Sequence, residues 1–185
     1  MKLIGFANRD GNNVQVSVQP TFLYEKHPLA GIVDEYNAVY VNGEAVGDTM
    51  FYGPGAGSLP TATAIMSDVV ATIKNMQLGT TGYRFFKPQF KKETTPADQR
   101  FSQYYLRLHV KDEVGAFAII SELFNQLEIN FEQIIQTPSN EDDFAEIVVT
   151  THETSLATFE EALAKLETLD VVESIQSYFR IEGDA

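Results

Sequence analysis

The spacing of apolar positions along the chain changes period at identifiable points, and each change predicts an element. Val14-Gln-Val-Ser-Val-Gln alternates strictly between apolar and polar residues, the signature of a strand with one buried and one wet face. With Lys2–Asn8 before it and Arg9-Asp-Gly-Asn-Asn between, it predicts a hairpin. A second hairpin is predicted from Ala38-Val-Tyr-Val to Tyr52, turning at Asn42-Gly43, a pair that accepts the positive φ angles of a two-residue type I′ turn. Together these strands predict an antiparallel sheet of about four strands. After Gly53-Pro-Gly-Ala-Gly57 the period becomes helical: Ala62, Ile65, Val69, Ile73 and Met76 share one face. Ser58 suits the N-cap of this helix, Pro60 its first turn, and Gly79 the residue past its end.

From residue 101 onward the order is strand, helix, strand, strand, helix, strand. Leu106, Leu108 and Val110 alternate, and Phe117, Ile120, Phe124 and Leu127 follow at helical spacing over Ala116–Leu127. Strands are predicted near Asn130–Gln136 and Ala145–Thr151, joined by the turn-rich Pro138-Ser-Asn-Glu-Asp-Asp. A helix over Leu156–Leu166, capped by Thr154 or Ser155, presents Leu156, Phe159, Leu163 and Leu166, and a last strand covers about Val172–Ile181. This βαββαβ order predicts a ferredoxin-like sandwich of four antiparallel strands and two helices. The fold class is therefore α+β: an antiparallel sheet plus helix, then the ferredoxin-like domain.

Charge sharpens the division. The 185 residues carry a net charge of −13, yet residues 1–100 hold nine basic and nine acidic side chains and are neutral. The whole excess falls on residues 101–185, which suggests two separately built units. The predicted organisation is residues 1–78, a linker over 79–100 rich in Gly and Pro, and residues 101–185. Tyr83, Phe85, Phe86 and Phe90 in the linker read as anchors onto a neighbouring domain, a membrane or a partner. The acidic balance argues against nucleic acid, which needs a basic footprint. No apolar run reaches the length of a membrane span, the N-terminus lacks a signal-peptide pattern, and there is no cysteine. A cytoplasmic protein is expected.

Candidate chemistry is sparse. His27, His109 and His152 stand at no metal or triad spacing, and Glu141-Asp142-Asp143 reads as a solvated turn. No catalytic residue and no metal site is expected. The glycine loop Gly53, Gly55, Gly57 opens a helix, whose free N–H groups can meet an anion, but it matches neither the dinucleotide fingerprint nor the P-loop. A tight structural turn is the alternative. Asp112-Glu-Val-Gly115 joins a strand to a helix, with Asp112 either an N-cap or a ligand contact. Asn130 is polar where packing would favour an apolar residue.

Val14-Gln-Val-Ser-Val-Gln-Pro, His27-Pro-Leu-Ala, Asn37-Ala-Val-Tyr-Val, Phe51-Tyr-Gly-Pro-Gly-Ala-Gly, Pro60-Thr-Ala-Thr-Ala and Ser67-Asp68 closely resemble the C-terminal part of bacterial homoserine dehydrogenase. Leu106-Arg-Leu-His-Val-Lys-Asp-Glu-Val-Gly-Ala-Phe and Ile134-Ile-Gln resemble the ACT domain that many members carry. The resemblance implies a dimerisation sheet over residues 1–52, a returning loop and helix of the nucleotide domain over 53–78, and a regulatory domain. The family's N-terminal nucleotide-binding domain and catalytic lysine would lie upstream of Met1. By this resemblance Gly53, Gly55 and Gly57 approach NAD(P), which this chain alone is not expected to hold tightly. Likewise Asp112, Val114, Gly115, Ala116 and Asn130 match an amino-acid effector site between paired domains, and L-threonine is the implied feedback inhibitor. Two main readings stand, a regulatory and dimerising fragment of the dehydrogenase or a free-standing amino-acid sensor acting in trans, with a working truncated dehydrogenase as the third. Both imply a homo-oligomer, because the helix at 60–78 carries an apolar stripe that should be exposed or covered by a partner chain.

Overall fold

A computed structural model describes residues 1–80, 93–139 and 143–183. The chain divides into two compact units, Met1–Tyr24 with Lys92–Ala185, and Glu25–Lys91.

The larger unit is built on one mixed sheet. Strands β1 (Lys2–Asp10) and β2 (Asn13–Leu23) form the first predicted hairpin, with Gly11 at φ 56° in its turn. Downstream come a short strand β5 (Glu93–Thr94) and one 3-10 turn (Ala97–Gln99), then β6 (Phe101–Lys111), α2 (Ala116–Gln126), β7 (Phe131–Pro138) and β8 (Phe144–Thr151). The two-residue β9 (Thr154–Ser155), α3 (Leu156–Leu166) and β10 (Val172–Glu182) complete it. The strand order is β1-β2-β10-β6-β8-β7, whose last four members have the ferredoxin-like arrangement expected from the sequence. Its core is continuous: Leu106, Leu108 and Val110 of β6 meet Ile147 and Val149 of β8, and Ile120, Phe124, Ala162 and Leu166 pack on them from the helices. Burial of this apolar surface is the main source of stability.

The smaller unit holds β3 (Tyr36–Gly43), β4 (Gly47–Pro54) and α1 (Ser58–Gln77). Here the expected four-stranded sheet is corrected. The two hairpins lie in separate sheets, because the free side of β2 is taken by β10, in parallel from Arg180↔Thr21 to Glu182↔Leu23. The second turn also shifts. Asn42 and Gly43 belong to the ladder, opposite Asp48 and Gly47, and the chain reverses at Glu44-Ala45-Val46. The left-handed residue is Gly47, at φ 66°, so the favoured three-residue loop ending in a glycine replaces the two-residue turn. The Asn42 amide donates to the Asp48 carboxylate at 2.6 Å, which fixes that register.

Helix ends follow capping chemistry, with one correction. Gly57, at φ 124°, occupies the N-cap of α1, and Ser58 is already helical, so no side chain caps that end. Gly79 takes the expected place past its end, at φ 65°. In α3 the Ser155 hydroxyl accepts from the Thr158 N–H at 3.1 Å. Ser155→Ala should therefore cost about 1 kcal/mol, read as a lower urea midpoint with unchanged slope.

The expected linker is partly structured, since Glu93–Thr94 pairs in parallel with Asn13–Val14 of β2. Tyr83, Phe85, Phe86 and Phe90 lie outside the described residues, as do Glu141 and Asp142.

On the solvent face of β6 and β8, Arg107 grips Glu146 with two hydrogen bonds, one of 3.0 Å from Nε. These bonds hold the Glu146 carboxyl below its ordinary range. A depressed carboxyl adds stability above its unfolded pKa and loses it as pH falls through the lower folded value. Glu146→Gln should therefore lower the melting temperature near neutral pH and converge with the parent chain once the pH falls below the carboxyl's lowered folded value. Because the pair is only partly buried, the difference should be small and salt-sensitive.

Candidate functional site

Two groups of residues were singled out by sequence, and they fall in different units. The first is the glycine loop between β4 and α1. Gly53 lies next to the end of β4, opposite Asn37, and no heavy atom lies within 4 Å of the place a Cβ would occupy. Gly55 is explained by packing: its N–H donates to the Glu35 carbonyl at 2.8 Å, and a Cβ would overlap the Asn37 amide. Gly57 needs its positive φ to turn the chain into the helix, where its carbonyl accepts from the Thr61 N–H at 3.1 Å. The loop is exposed over residues 54–59, and no acidic residue stands in the first turn of α1. These residues fit one wall of a site for an anionic cofactor, with open backbone and a positive helix end. No residue of α1 is buried: Leu59, Ile65, Met66, Ile73 and Met76 are all exposed, so the apolar stripe is as open as the sequence suggested.

The second group surrounds the start of α2. Lys111 ends β6, the Asp112 N–H donates to the Asp143 carbonyl at 2.9 Å, and Gly115 turns the chain at φ 98° into the helix. Gly115, not Asp112, is the N-cap, and no side chain caps this end. Asp112 is exposed, and Val114 projects fully into solvent at 107% relative exposure. Ala116 is buried against the core and anchors the first turn.

Asn130 does not join that group within one chain. Strand pairing sets Lys111 opposite Phe144, at one end of the sheet. Phe131, next to Asn130, pairs with Thr151 at the other end, where the Asn130 carbonyl accepts from the His152 N–H at 2.9 Å. Six strand residues separate the two ends, a distance of about 20 Å. The sequence could not show this, because α2 runs the length of the sheet between the two points. Nearby, Phe117 and Ile119 of α2 and Ile134 of β7 are exposed, Ile135 is exposed on the opposite face of the sheet, and β7 is a sheet edge. Among the described residues no three His, Asp or Glu side chains converge as a metal site, and no helix is long and apolar enough to cross a membrane.

Family comparisons match two segments of the chain, and the first of them takes in β1 and β2, which the fold packs with the larger unit. Residues 1–70 match the homoserine dehydrogenase family, and residues 104–170 match the ACT domain. The chain is 52% identical to the homoserine dehydrogenase of Bacillus subtilis over 185 residues, all of this chain and 43% of that protein. It is 36% identical to that of Neisseria gonorrhoeae, over 99% of this chain and 43% of the relative. The chain is related along its whole length to the C-terminal part of homoserine dehydrogenases. Solved structures agree. A homoserine dehydrogenase from Thiobacillus denitrificans superposes with a TM-score of 0.84 at 32% identity, covering 98% of this chain and 42% of that one. That from S. aureus gives 0.60 at 28% identity, covering 100% and 42%. The chain thus spans about two-fifths of the length of these homoserine dehydrogenases, and ends in an ACT regulatory domain.

Proposed function

We propose that this chain is the regulatory and dimerising part of a homoserine dehydrogenase, and that its ACT domain senses L-threonine as a feedback signal. The parent reaction is the NAD(P)-dependent interconversion of L-homoserine and L-aspartate 4-semialdehyde, and the cofactor supplies or accepts the hydride. Residues 1–78 belong to the dehydrogenase, residues 79–100 connect, and residues 101–185 regulate. Gly53, Gly55 and Gly57 let backbone come close to the cofactor, while the remaining walls of its site come from other parts of the enzyme.

The observation that carries the sensing role is the placement of the two half-sites. Asp112, Val114, Gly115 and Ala116 gather at the positive end of α2, and Asn130 stands at the far end of the same helix. A two-fold pairing through the exposed α2–β7 face sets the loop of one copy beside Asn130 of the other. There the helix end meets the ligand carboxylate, Asp112 its ammonium group, and the Asn130 amide its side chain. Effector binding then requires pairing, and pairing is favoured by effector; that differential affinity is what a regulatory domain needs. The negative charge of this half opposes pairing and makes it stronger in salt.

Calorimetric titration with L-threonine, beside L-serine, L-isoleucine and L-methionine, should give saturable heat with threonine and at least tenfold weaker binding of the others. Equal binding of all four, or none, would reject threonine sensing. A free-standing sensor acting in trans shares the loop and Asn130, and would differ in binding a separate enzyme subunit.

A further inference from the structure

In the larger unit a groove of about 450 Å³ runs between α3 and a floor made by β2, β10 and β6. Its wall is apolar, formed by Leu156, Phe159 and Leu163, and Tyr178 closes it from the floor. The floor carries a buried cation. Arg180 is only 9% exposed, its guanidinium lies 4.2 Å over the Phe6 ring, and one terminal nitrogen meets the Glu182 carboxylate at 2.6 Å. Its Nε–H is buried and has no hydrogen-bond partner among the described residues. The Ser17 hydroxyl, on the groove-lining face of β2, is buried and unpartnered in the same way. Ser17 pairs across the hairpin with Phe6, the residue whose ring the Arg180 guanidinium covers.

Buried donors in folded proteins are almost always satisfied, and a charged one is costly to leave open. Two of them lining one groove therefore point to an acceptor that the protein does not itself supply. We infer that this groove binds a small monocarboxylate with a branched apolar body: the carboxylate accepts from Arg180 Nε and Ser17 Oγ, and the body rests on Phe159 and Leu163. A guanidinium edge is matched to a carboxylate, and the volume lies within the range of small-ligand sites. Arg100 and Glu160 both line the groove and Glu182 pairs with Arg180, so the local charge is near balance, which disfavours a multiply charged anion such as phosphate. None of Asp112, Val114, Gly115, Ala116 or Asn130 lines this groove, so it goes beyond the threonine reading and stands or falls separately.

The test uses the full chain and 4-methylpentanoate as probe, followed by calorimetry and by amide NMR shifts. Saturable binding at millimolar concentration is expected, with shifts at Ser17, Phe159 and Arg180. Binding should be at least fivefold weaker for Ser17→Ala and for Arg180→Gln, unchanged for Asp112→Ala, and at least tenfold weaker for 4-methylpentanol and for inorganic phosphate. Arg180→Gln could unfold the sheet, whereas Ser17→Ala removes only an unpartnered hydroxyl and keeps the test open. No saturation, equal binding of the alcohol, or full affinity in Ser17→Ala would overturn the assignment.

Discussion

Phe124→Ala is expected to destabilise the ACT unit by about 3–5 kcal/mol, seen as a large drop in the urea midpoint of its unfolding. Phe124 is fully buried (0% exposed), and its ring lies 4.8 Å from that of Phe131, tilted by 56°. Removing it loses the transfer energy of an aromatic ring and leaves a cavity that Leu106, Ile120 and Ile147 cannot all move to fill, since each is itself fully enclosed. Domains of this size have only about 5–15 kcal/mol in hand, so the variant should be partly unfolded at modest temperature. Leu59→Ala on α1 is the control: that side chain is 75% exposed, and its loss should fall within about 0.5 kcal/mol of neutral. Similar costs for the two would contradict the assignment of the core to the βαββαβ unit.

The regulatory half was legible because each of its elements announces itself by period. Leu106, Leu108 and Val110 alternate, Ile120 and Phe124 recur at helical spacing, and all five are buried as that pattern demands. The first half was read less well, for reasons that are physical. A hairpin's own sequence sets its internal register, but Val14 to Leu23 contain nothing that says which strand will take their second edge; β10 does, from more than 150 residues downstream. Asn42-Gly43 was overruled by Gly47, because two glycines near one turn both offer positive φ and the register of Asn42 on Asp48 selects between them. For the candidate site, the loop at Gly115 was visible as a strand-to-helix glycine. What sequence could not give was distance: Asp112 and Asn130 are 18 residues apart in the chain and at opposite ends of the sheet. The groove beneath α3 had no sequence signal, since Ser17 reads as an ordinary wet position of an alternating strand.

That distance produces the second large effect. Asp112→Ala and Asn130→Ala should each weaken L-threonine binding by at least tenfold, because each removes a charged or amide partner from a desolvated ligand. Both side chains are exposed in the single chain, so neither change should alter folding. If the site is made across two copies, every site in either variant has lost one partner. Mixing the two variants after reversible unfolding creates heterodimers, in which one site carries both changes and the other carries neither. A refolded equal mixture should regain about a quarter of its sites at parental affinity, while each variant alone regains none. A calorimetric titration of that mixture with L-threonine is therefore the most direct test of the central claim. Recovery of roughly that fraction would establish a threonine sensor assembled between copies, and no recovery from two folded, individually deficient variants would contradict it.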